Sequence, residues 1–166
     1  MLQEGVVMTL FNREEVVIRP FAAGDRELVQ DFFDRMGPES RALFNRRRGN
    51  ELGALAFFDE KEENKSTIRF MAELNGRMVG YLFFFSYEYK IPWLGIAVSD
   101  DVKGMHLGTR LMEFAKNYAM AHGKGGILLT THQANLRGQM LYENSGYERL
   151  GNHYSGEVMY ILRFED

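Results

Sequence analysis

The sequence predicts a single domain of mixed α/β or α+β class, with six to seven strands and about four helices. The predicted elements follow the order β-α-α-β-β-β-α-β-α-β-β, and strands and helices interleaved in this way build sheets that helices cover. Within this order, a strand over 94–98, a helix over 107–122 and a strand over 126–131 form a β-α-β unit. The 166 residues are enough for one substantial core and too few for two, so we assign 1–166 to one domain.

The N-terminal part predicts one or two strands and a helix. The segment EEVVIRPF is rich in β-branched residues and stops at Pro20, which is typical of a strand. The segment VVMTLF, within 1–15, could pair with it as an extra N-terminal strand. Asp25 is a good helix N-cap, and apolar residues recur after it at helical spacing until Gly37-Pro38 ends the helix.

The following segments carry signals of unequal strength. SRALFNRRR is predicted as a second, short helix, and ELGALAFFDEKEENKS as an exposed loop because of its acidic run. TIRFMAEL alternates in polarity and ends at Asn75-Gly76, a strong hairpin turn signal. MVGYLFFFSY then returns as a strand that is too apolar to be half exposed, so we place it centrally in its sheet.

The second half of the chain contains the β-α-β unit and two final strands. WLGIAV is the first strand of the unit, GGILLTT is the second, and the helix between them has one apolar face formed by Leu107, Leu111, Phe114, Ala115 and Tyr118. Asn135 is a good N-cap for the helix LRGQMLYENS, and Gly146 is its C-terminal stop. Strands near ERLGNHY and EVMYILRF complete the domain.

Composition and charge argue against several classes of function. The net charge of -3 provides no broad basic field for nucleic acid, and we interpret Arg46-Arg47-Arg48 as a solvated helix end rather than a phosphate site. With no cysteine, disulfides and thiolate metal sites are excluded, and we expect no metal. The N-terminus lacks the apolar core of a signal peptide, and the longest apolar stretch is too short to span a bilayer. We therefore expect a cytoplasmic protein without membrane or nucleic-acid partners.

The loop between the strand 94–98 and the helix 107–122 has the features of an anion site. The first N–H groups of a helix lack intrahelical partners, and the helix dipole adds partial positive charge, so a phosphate fits there. Gly104 and Gly108 leave backbone accessible, Lys103 adds a charge and Thr109 a hydroxyl. The spacings of the Walker A and Rossmann phosphate motifs are both absent. A glycine-containing loop that only turns a corner is the alternative.

Three segments in the right order resemble the GNAT superfamily of N-acetyltransferases over residues 17–164. VSDDVKGMHLGTRLM is similar to the loop that binds the acyl-CoA pyrophosphate, with Lys103 at the basic position and Gly108 at the last glycine, although His106 replaces the first glycine. VIRPFAAGD is similar to the opening strand and helix start. NLRGQMLYENSGYE is similar to a motif in which Asn135, Tyr142 and Gly146 match.

The resemblance implies a central mixed, twisted sheet whose fourth and fifth strands, 94–98 and 126–131, splay apart to admit acetyl-CoA. It implies that the fourth strand offers backbone N–H groups, which we place at Ile96 and Val98, to the pantetheine arm and the thioester carbonyl. The residues expected to bind acetyl-CoA are Ile96, Ala97, Val98, Lys103, Gly104, Met105, His106, Leu107, Gly108, Thr109, Asn135 and Tyr142.

The implied reaction is acetyl transfer from acetyl-CoA to an amine by direct attack in a ternary complex. The amine must lose a proton, the carbonyl oxygen needs an N–H donor, and the CoA sulfur leaves with the help of an acid. Tyr142 is expected to be that acid, since a phenol with a pKa of about 10 is protonated at neutral pH. The general base is not evident from the sequence: Glu88 is our candidate, His132, His153 and a water chain to bulk solvent are alternatives, and Thr130 stands where the family often has Glu.

The acceptor and the assembly state are left open. A small-molecule or peptide amine is expected, and Tyr87, Tyr89 and Trp93 could line its pocket, while the acidic run at 59–63 could attract a cation. A homodimer is possible by the resemblance alone. A non-catalytic acyl-CoA-binding sensor or interaction module is the alternative function; Tyr142 favours the enzyme, and the altered His106 keeps the sensor under consideration.

Overall fold

The computed structural model describes residues 5–10, 12–44, 50–59 and 66–165. The strands are β1 (Val6–Thr9), β2 (Glu15–Pro20), β3 (Ile68–Leu74), β4 (Arg77–Phe85), β5 (Trp93–Val98), β6 (Gly126–Thr131), β7 (Glu148–Asn152) and β8 (Val158–Arg163). The helices are α1 (Arg26–Asp34), α2 (Pro38–Phe44), α3 (Asn50–Ala56), α4 (Leu107–Ala121) and α5 (Leu136–Asn144). A short 3-10 turn over Asp100–Val102 connects β5 to the loop before α4.

The strands form one sheet of mixed α+β architecture in the order β1-β2-β3-β4-β5-β6-β8-β7. Neighbouring strands are antiparallel except β5 and β6, which are parallel because α4 crosses over between them. The sheet has eight strands rather than the predicted six to seven. The added strand β1 pairs with β2, with Val6 opposite Ile18, so the hairpin considered for the N-terminal segment is present.

The described residues form five helices rather than the predicted four, because part of the segment predicted as a loop forms α3. The loop prediction rested on the acidic run that follows, whereas the segment ELGALA itself contains good helix formers. Ala54 of α3 is fully buried in the same core cluster as Phe33 of α1. Packing of α3 against α1 therefore supplies the stabilisation that a seven-residue helix lacks on its own.

The sheet separates two apolar layers, which we name after the helices that cover them. On the α4 face, Leu111 of α4 packs with Leu82 of β4 and Ile127 of β6. On the α1 face, Phe33 of α1 packs with Tyr81 of β4, and further aromatic residues fill this layer. Alternation along each strand sends consecutive side chains to opposite faces, so the central strand β4 is buried on both sides, as predicted for MVGYLFFFSY.

The strands β5 and β6 pair only where both begin. Trp93 lies opposite Leu128, whose N–H donates to the carbonyl of Pro92 at 2.9 Å. Beyond that pair β5 stays in register with β4 as far as Val98, and β6 stays in register with β8 as far as Thr131. The two strands therefore diverge toward their carboxyl ends, and the space between them is termed the gap.

Asp25 occupies the N-cap position of α1, but its carboxylate makes no cap hydrogen bond. It accepts instead from the guanidinium of Arg19, at 2.7 and 3.0 Å, and from the N–H of Ala22 at 2.7 Å. Arg19 also donates to Glu73 of β3 at 2.9 Å. The residue predicted as the helix cap is therefore part of a partly buried ion-pair network that ties α1 to the strands β2 and β3.

Two charge predictions fall on residues that are not described: Arg46-Arg47-Arg48, and the acidic run at 59–63 apart from Asp59. Among the helices of the described residues, none combines the length and the apolar composition that crossing a membrane requires. Within the same ranges, His, Asp and Glu side chains form no group of three or more that could hold a metal ion.

Candidate active site

The loop of residues 103–108, termed the glycine loop, leads into α4, and two of its residues have a left-handed backbone conformation. Gly104 has a φ of +88° and His106 has a φ of +64°. The first hydrogen bond into α4 runs from the N–H of Arg110 to the carbonyl of His106, at 3.2 Å. The N–H groups of Leu107, Gly108 and Thr109 come before Arg110 in the helix, so they have no acceptor within α4 and point out of its N-terminus. These three donors and the helix dipole lie where the sequence predicted an anion site, and they supply the unpaired N–H groups that such a site needs.

His106 adopts a backbone conformation that glycine favours. A left-handed conformation costs a residue with a Cβ about 1 kcal/mol or more, because the Cβ approaches the following carbonyl. The position at which the GNAT pattern has glycine is thus one where the loop requires a positive φ. His106 adopts this left-handed conformation at the expense of backbone strain.

We predict that His106→Gly is more stable than His106→Ala by about 1 kcal/mol, because only alanine retains the left-handed penalty. Urea unfolding of the two variants measures this difference. Lys103, whose φ is -63°, is the matched control, and there the glycine variant should be the less stable of the pair. Equal stabilities at position 106 would show that the backbone is unstrained.

Gly108 has a second role besides exposing backbone to a ligand. A Cβ at this position would lie 3.0 Å from a methyl carbon of Leu141 on α5. The first turn of α4 therefore packs closely against α5, which brings the N-terminus of α4 beside the helix that carries Asn135 and Tyr142.

Lys103 stands at the predicted basic position, but protein groups already hold its ammonium. Its Nζ lies 2.6 Å from Oδ1 of Asp100 and donates to Oγ of Ser40 at 2.9 Å. Hydrogen bonds from Lys103 and Ser40 lower the pKa of Asp100 to about 2, although partial burial acts in the other direction. Lys103 therefore anchors the loop to α2, and contact with a phosphate would require it to change partners.

The backbone of β5 directs N–H groups into the gap. The N–H of Ser99 donates to the carbonyl of Val79 on β4 at 2.8 Å, which fixes the alternation along the antiparallel pair. By that alternation the N–H of Ala97 points at β4, whereas those of Ile96 and Val98 point away from it, toward β6. The two donors that the resemblance implied are therefore aimed into the gap, on the side where the strands have separated.

The helix α5 brings Asn135 and Tyr142 to the carboxyl end of β6. The side chain of Asn135 accepts from the N–H of Gly138 at 3.1 Å and donates to Oγ1 of Thr131 at 2.9 Å. A Cβ at Gly138 would lie 2.3 Å from the Asn135 amide nitrogen, so glycine makes room for this cap. The hydroxyl of Tyr142 hydrogen-bonds the side chain of Thr131.

Tyr142 is buried on the α4 face and stays protonated over a wide pH range. Burial raises the pKa of Tyr142 above its ordinary value of 10, the neighbouring Tyr160 and the charge of Glu157 add to the rise, and the Thr131 hydrogen bond opposes it. Such a phenol can donate a proton or a hydrogen bond at neutral pH. The hydroxyl lies beside Thr131, at the carboxyl end of the strand that borders the gap.

Glu88 is exposed in the turn between β4 and β5, away from these groups. That turn packs on the C-terminal end of α4, since Lys124 donates to the carbonyl of Tyr89 at 3.1 Å and Lys90 to that of Gly123 at 2.6 Å. The glycine loop lies at the other end of α4, about 22 Å away at 1.5 Å per residue. The structure thus does not bring Glu88 to the carboxyl end of the gap, and its role as the base stays an untested prediction.

A carboxylate that sequence reasoning missed lies next to Thr130. Oγ1 of Thr130 donates to Oε1 of Glu157 at 2.9 Å. Glu157 precedes β8 and is 27 positions away in sequence, so only the pairing of β6 with β8 brings it beside Thr130. A carboxylate is therefore present beside Thr130, the β6 position where the resemblance had indicated the loss of a Glu.

The acid and carboxylate candidates flank β6 on opposite faces. Thr131 faces α4 and α5 and hydrogen-bonds Tyr142, whereas Thr130, one residue earlier, faces the other side and hydrogen-bonds Glu157. A ligand lying in the gap has a protonated phenol on one face of the sheet and a carboxylate on the other. This arrangement suits a reaction in which one group gains a proton while another loses one.

The aromatic residues proposed for the acceptor pocket do not lie together on one face of the sheet. Trp93 stacks on Phe85 at 6.0 Å between ring centroids and meets the edge of His153 at 5.8 Å, so it lies on the α1 face near the gap. Tyr87 packs against Tyr118 of α4, on the opposite face. Tyr89 is exposed in the same turn as Glu88.

Comparisons with a family model and with a curated relative both indicate an acetyltransferase family. A model of the acetyltransferase (GNAT) family matches residues 27–147. YhfO of Bacillus subtilis (strain 168), described as an uncharacterized N-acetyltransferase, is 29% identical over 111 residues, which is 63% of this chain and 74% of that protein.

Solved structures share the fold at low identity. The GNAT domain of S. lividans PAT superposes with a TM-score of 0.82 at 15% identity, covering 96% of this chain and 97% of that domain. The aminoglycoside acetyltransferase AAC(6')-Ib, in complex with coenzyme A and kanamycin, superposes with a TM-score of 0.71 at 17% identity, covering 89% and 94%. At these identities the likeness establishes the fold alone.

Proposed function

The chain belongs to the acetyltransferase (GNAT) family, and from this premise we propose that it transfers acetyl from acetyl-CoA to an amine by direct attack in a ternary complex. Membership makes the chain an acetyltransferase in general terms. The acceptor, a small-molecule or peptide amine, and the ternary order are the proposed part.

One observation carries the proposal: the gap and the N-terminus of α4 open at the same end of β5. The N–H groups of Ile96 and Val98 point into the gap, and those of Leu107, Gly108 and Thr109 point out of α4. Acetyl-CoA is a long ligand with amide groups in its pantetheine arm and a diphosphate beyond it. The strand donors suit the amides and the carbonyl, and the helix N-terminus suits the diphosphate.

Each residue has a defined task in the proposed reaction. The β5 N–H groups hold the thioester carbonyl and stabilise the negative charge that its oxygen gains during attack. Tyr142 gives a proton to the departing CoA sulfur, because its raised pKa keeps it protonated. Asn135 holds Thr131, and Thr131 in turn orients the hydroxyl of Tyr142.

A non-catalytic acyl-CoA sensor is the second candidate function. The burial of Tyr142 and the pairing of Lys103 with Asp100 favour it, because the first limits access to the acid and the second withdraws a charge from the anion site. A sensor would bind acetyl-CoA without releasing CoA thiol. Thiol release over a panel of amines separates the two functions.

We predict that acetyl-CoA at ten times its dissociation constant stabilises the protein by about 1.4 kcal/mol, because a ligand that binds only the folded state shifts the unfolding equilibrium. Thermal melting with and without acetyl-CoA measures the shift. ATP at the same concentration is the control for general phosphate binding. No shift with acetyl-CoA, or an equal shift with ATP, contradicts both the enzyme and the sensor.

The acceptor is proposed only as a class, a small-molecule or peptide amine. The kanamycin in the AAC(6')-Ib complex belongs to that protein, and it supports here only the proposal that a small-molecule amine can be the acceptor. A homodimer and a cytoplasmic setting stay predictions of the sequence.

A further inference from the structure

We propose that the acceptor amine binds as an ammonium in a cavity at the carboxyl end of β6, and that Glu157 holds it and then removes its proton. This inference rests on the acetyl transfer proposed above. It assigns the base that the sequence left open, and it sets the acceptor as an alkylamine that is protonated in solution.

The cavity has a volume of about 310 Å³ and is lined by His132, Gln133, Gly156 and Glu157. It lies between the end of β6 and the part of the β7–β8 turn that immediately precedes β8. Nε2 of Gln133 donates to the carbonyl of Gly156 at 2.7 Å, which ties the two sides of the cavity together. Its size suits the amino end of a small molecule or of a side chain.

Register places the Glu157 carboxylate on the α1 face, one strand from the gap. Val158 and Tyr160 pack in the α4-face core, so Glu157, one residue before Val158, projects to the α1 face. Its bond to Thr130 confirms this orientation, because Thr130 lies on that face of β6. Neighbouring strands are about 4.8 Å apart, so an amine bound at the carboxylate can also reach the edge of the gap.

The two histidines near the cavity are less suited to take the proton. Nδ1 of His132 accepts the N–H of Ala134 at 2.9 Å, and Nδ1 of His153 accepts the N–H of Ser155 at 3.2 Å. A proton placed on either Nδ1 would break a bond that holds the local turn. The carboxylate of Glu157 can accept a proton while it keeps Thr130 as a donor.

Trp93 and His153 form an aromatic wall on the same face. Their rings meet edge to face at 5.8 Å, which folds the β7–β8 turn back toward the gap. An ammonium at Glu157 would have its carbon frame beside this wall. The combination of one carboxylate and an aromatic wall favours a cation with an apolar body.

The proposed step balances in protons and electrons. Glu157 takes one proton from the alkylammonium, and the nitrogen lone pair attacks the thioester carbonyl carbon, forming the C–N bond. The C–S bond breaks, and the sulfur takes the proton of Tyr142. The nitrogen then gives its second proton to solvent, Glu157 releases the proton that it took, and Tyr142 regains one from solvent, so one proton is released overall. The products are the N-alkylacetamide and CoA thiol.

The test compares wild type, Glu157→Gln and the matched control Glu148→Gln, with n-butylamine as the probe. Glu148 is an exposed carboxylate of β7, paired with Arg163 at 2.7 Å, and its removal should change neither readout. Calorimetry on CoA-loaded protein at pH 7 measures butylammonium binding, and thiol release across pH 7 to 10 measures turnover. Glu157→Asp retains the charge and provides the second variant if Glu157→Gln melts at a lower temperature.

We expect Glu157→Gln to weaken butylammonium binding at least about tenfold and to lower turnover at pH 7 about a hundredfold. The ratio of wild-type to variant turnover should shrink as pH rises, because neutral amine needs no base. The titratable groups facing Glu157 are His132, His153 and, through the sheet, Tyr142, and all three are present in both wild type and variant.

A ratio that does not change with pH, or unchanged binding and turnover, overturns the role of Glu157. If wild type binds butylammonium through Glu157 but releases no thiol, the ammonium site stands and the proposed transfer to this amine fails. If wild type releases thiol while Glu157→Gln binds and turns over butylamine normally, the transfer stands and the ammonium site fails.

Discussion

Replacing Tyr142 by phenylalanine lowers turnover at least about tenfold and leaves acetyl-CoA affinity unchanged, because the variant lacks only the proton donor to the leaving sulfur. The ring remains in the core, so the fold and the gap are retained. Steady-state thiol release and the acetyl-CoA melting shift together measure the two effects. A tenfold loss corresponds to about 1.4 kcal/mol of transition-state stabilisation.

Tyr147→Phe is the matched control for this experiment. Tyr147 is also buried and contacts the ring of Tyr142, but among the described residues its hydroxyl has no hydrogen-bond partner. Loss of that hydroxyl should leave turnover unchanged and stability equal or higher, since an unsatisfied buried group costs about 1 kcal/mol or more. Equal turnover in both variants and wild type would remove Tyr142 from the mechanism.

Replacing Asp25 by alanine destabilises the fold by about 3 kcal/mol, because it leaves the guanidinium of Arg19 without its main partner in a partly buried site. The loss also removes the acceptor for the N–H of Ala22 at the start of α1. Urea unfolding at pH 7 measures the difference. Asp34→Ala is the control: Asp34 is an exposed residue of α1 whose carboxylate accepts from Gln30, and its loss should cost under about 1 kcal/mol.

The stability difference between wild type and Asp25→Ala depends on pH in a defined direction. Burial acts to raise the pKa of Asp25, but hydrogen bonds from Arg19 and Ala22 outweigh it and lower the pKa below the ordinary 3.8. A carboxylate with a lowered folded-state pKa stabilises the fold fully above 3.8 and loses that contribution as pH falls through the folded value. The difference should therefore persist from pH 7 to about 5 and shrink below about 4. A difference that is constant down to pH 2 would contradict the assigned ion pair.

The parts of the site that the sequence predicted are those encoded locally. The strand, glycine loop and helix around Lys103, His106 and Gly108 form one continuous segment, so the sequence alone predicted the loop and the helix start at which we propose the anion site. The N-cap at Asn135 and the position of Tyr142 two turns later on α5 are likewise local. The pairing of β5 with β4 further supports the placement of inward N–H donors at Ile96 and Val98.

The parts that the sequence missed depend on contacts between distant segments. Glu157 meets Thr130 only through the register of β6 and β8, and no local pattern encodes that register. The ammonium of Lys103, predicted to contact a phosphate, instead contacts Asp100 three residues earlier and Ser40 of α2, and the contact with Ser40 joins distant segments. The sequence did not predict the helix α3, because its stability depends on the burial of Ala54 against α1. The acidic residues that follow are of a type common in loops, and they favoured the wrong prediction.

A crystal structure of the protein with acetyl-CoA tests the central claim most directly. We expect the diphosphate to contact the N–H groups of Gly108 and Thr109, and the thioester to lie in the gap with its carbonyl accepting from the β5 backbone near Ile96. Acetyl-CoA bound elsewhere on the surface, or a gap closed by continuous pairing of β5 with β6 while the coenzyme is present, would contradict the account.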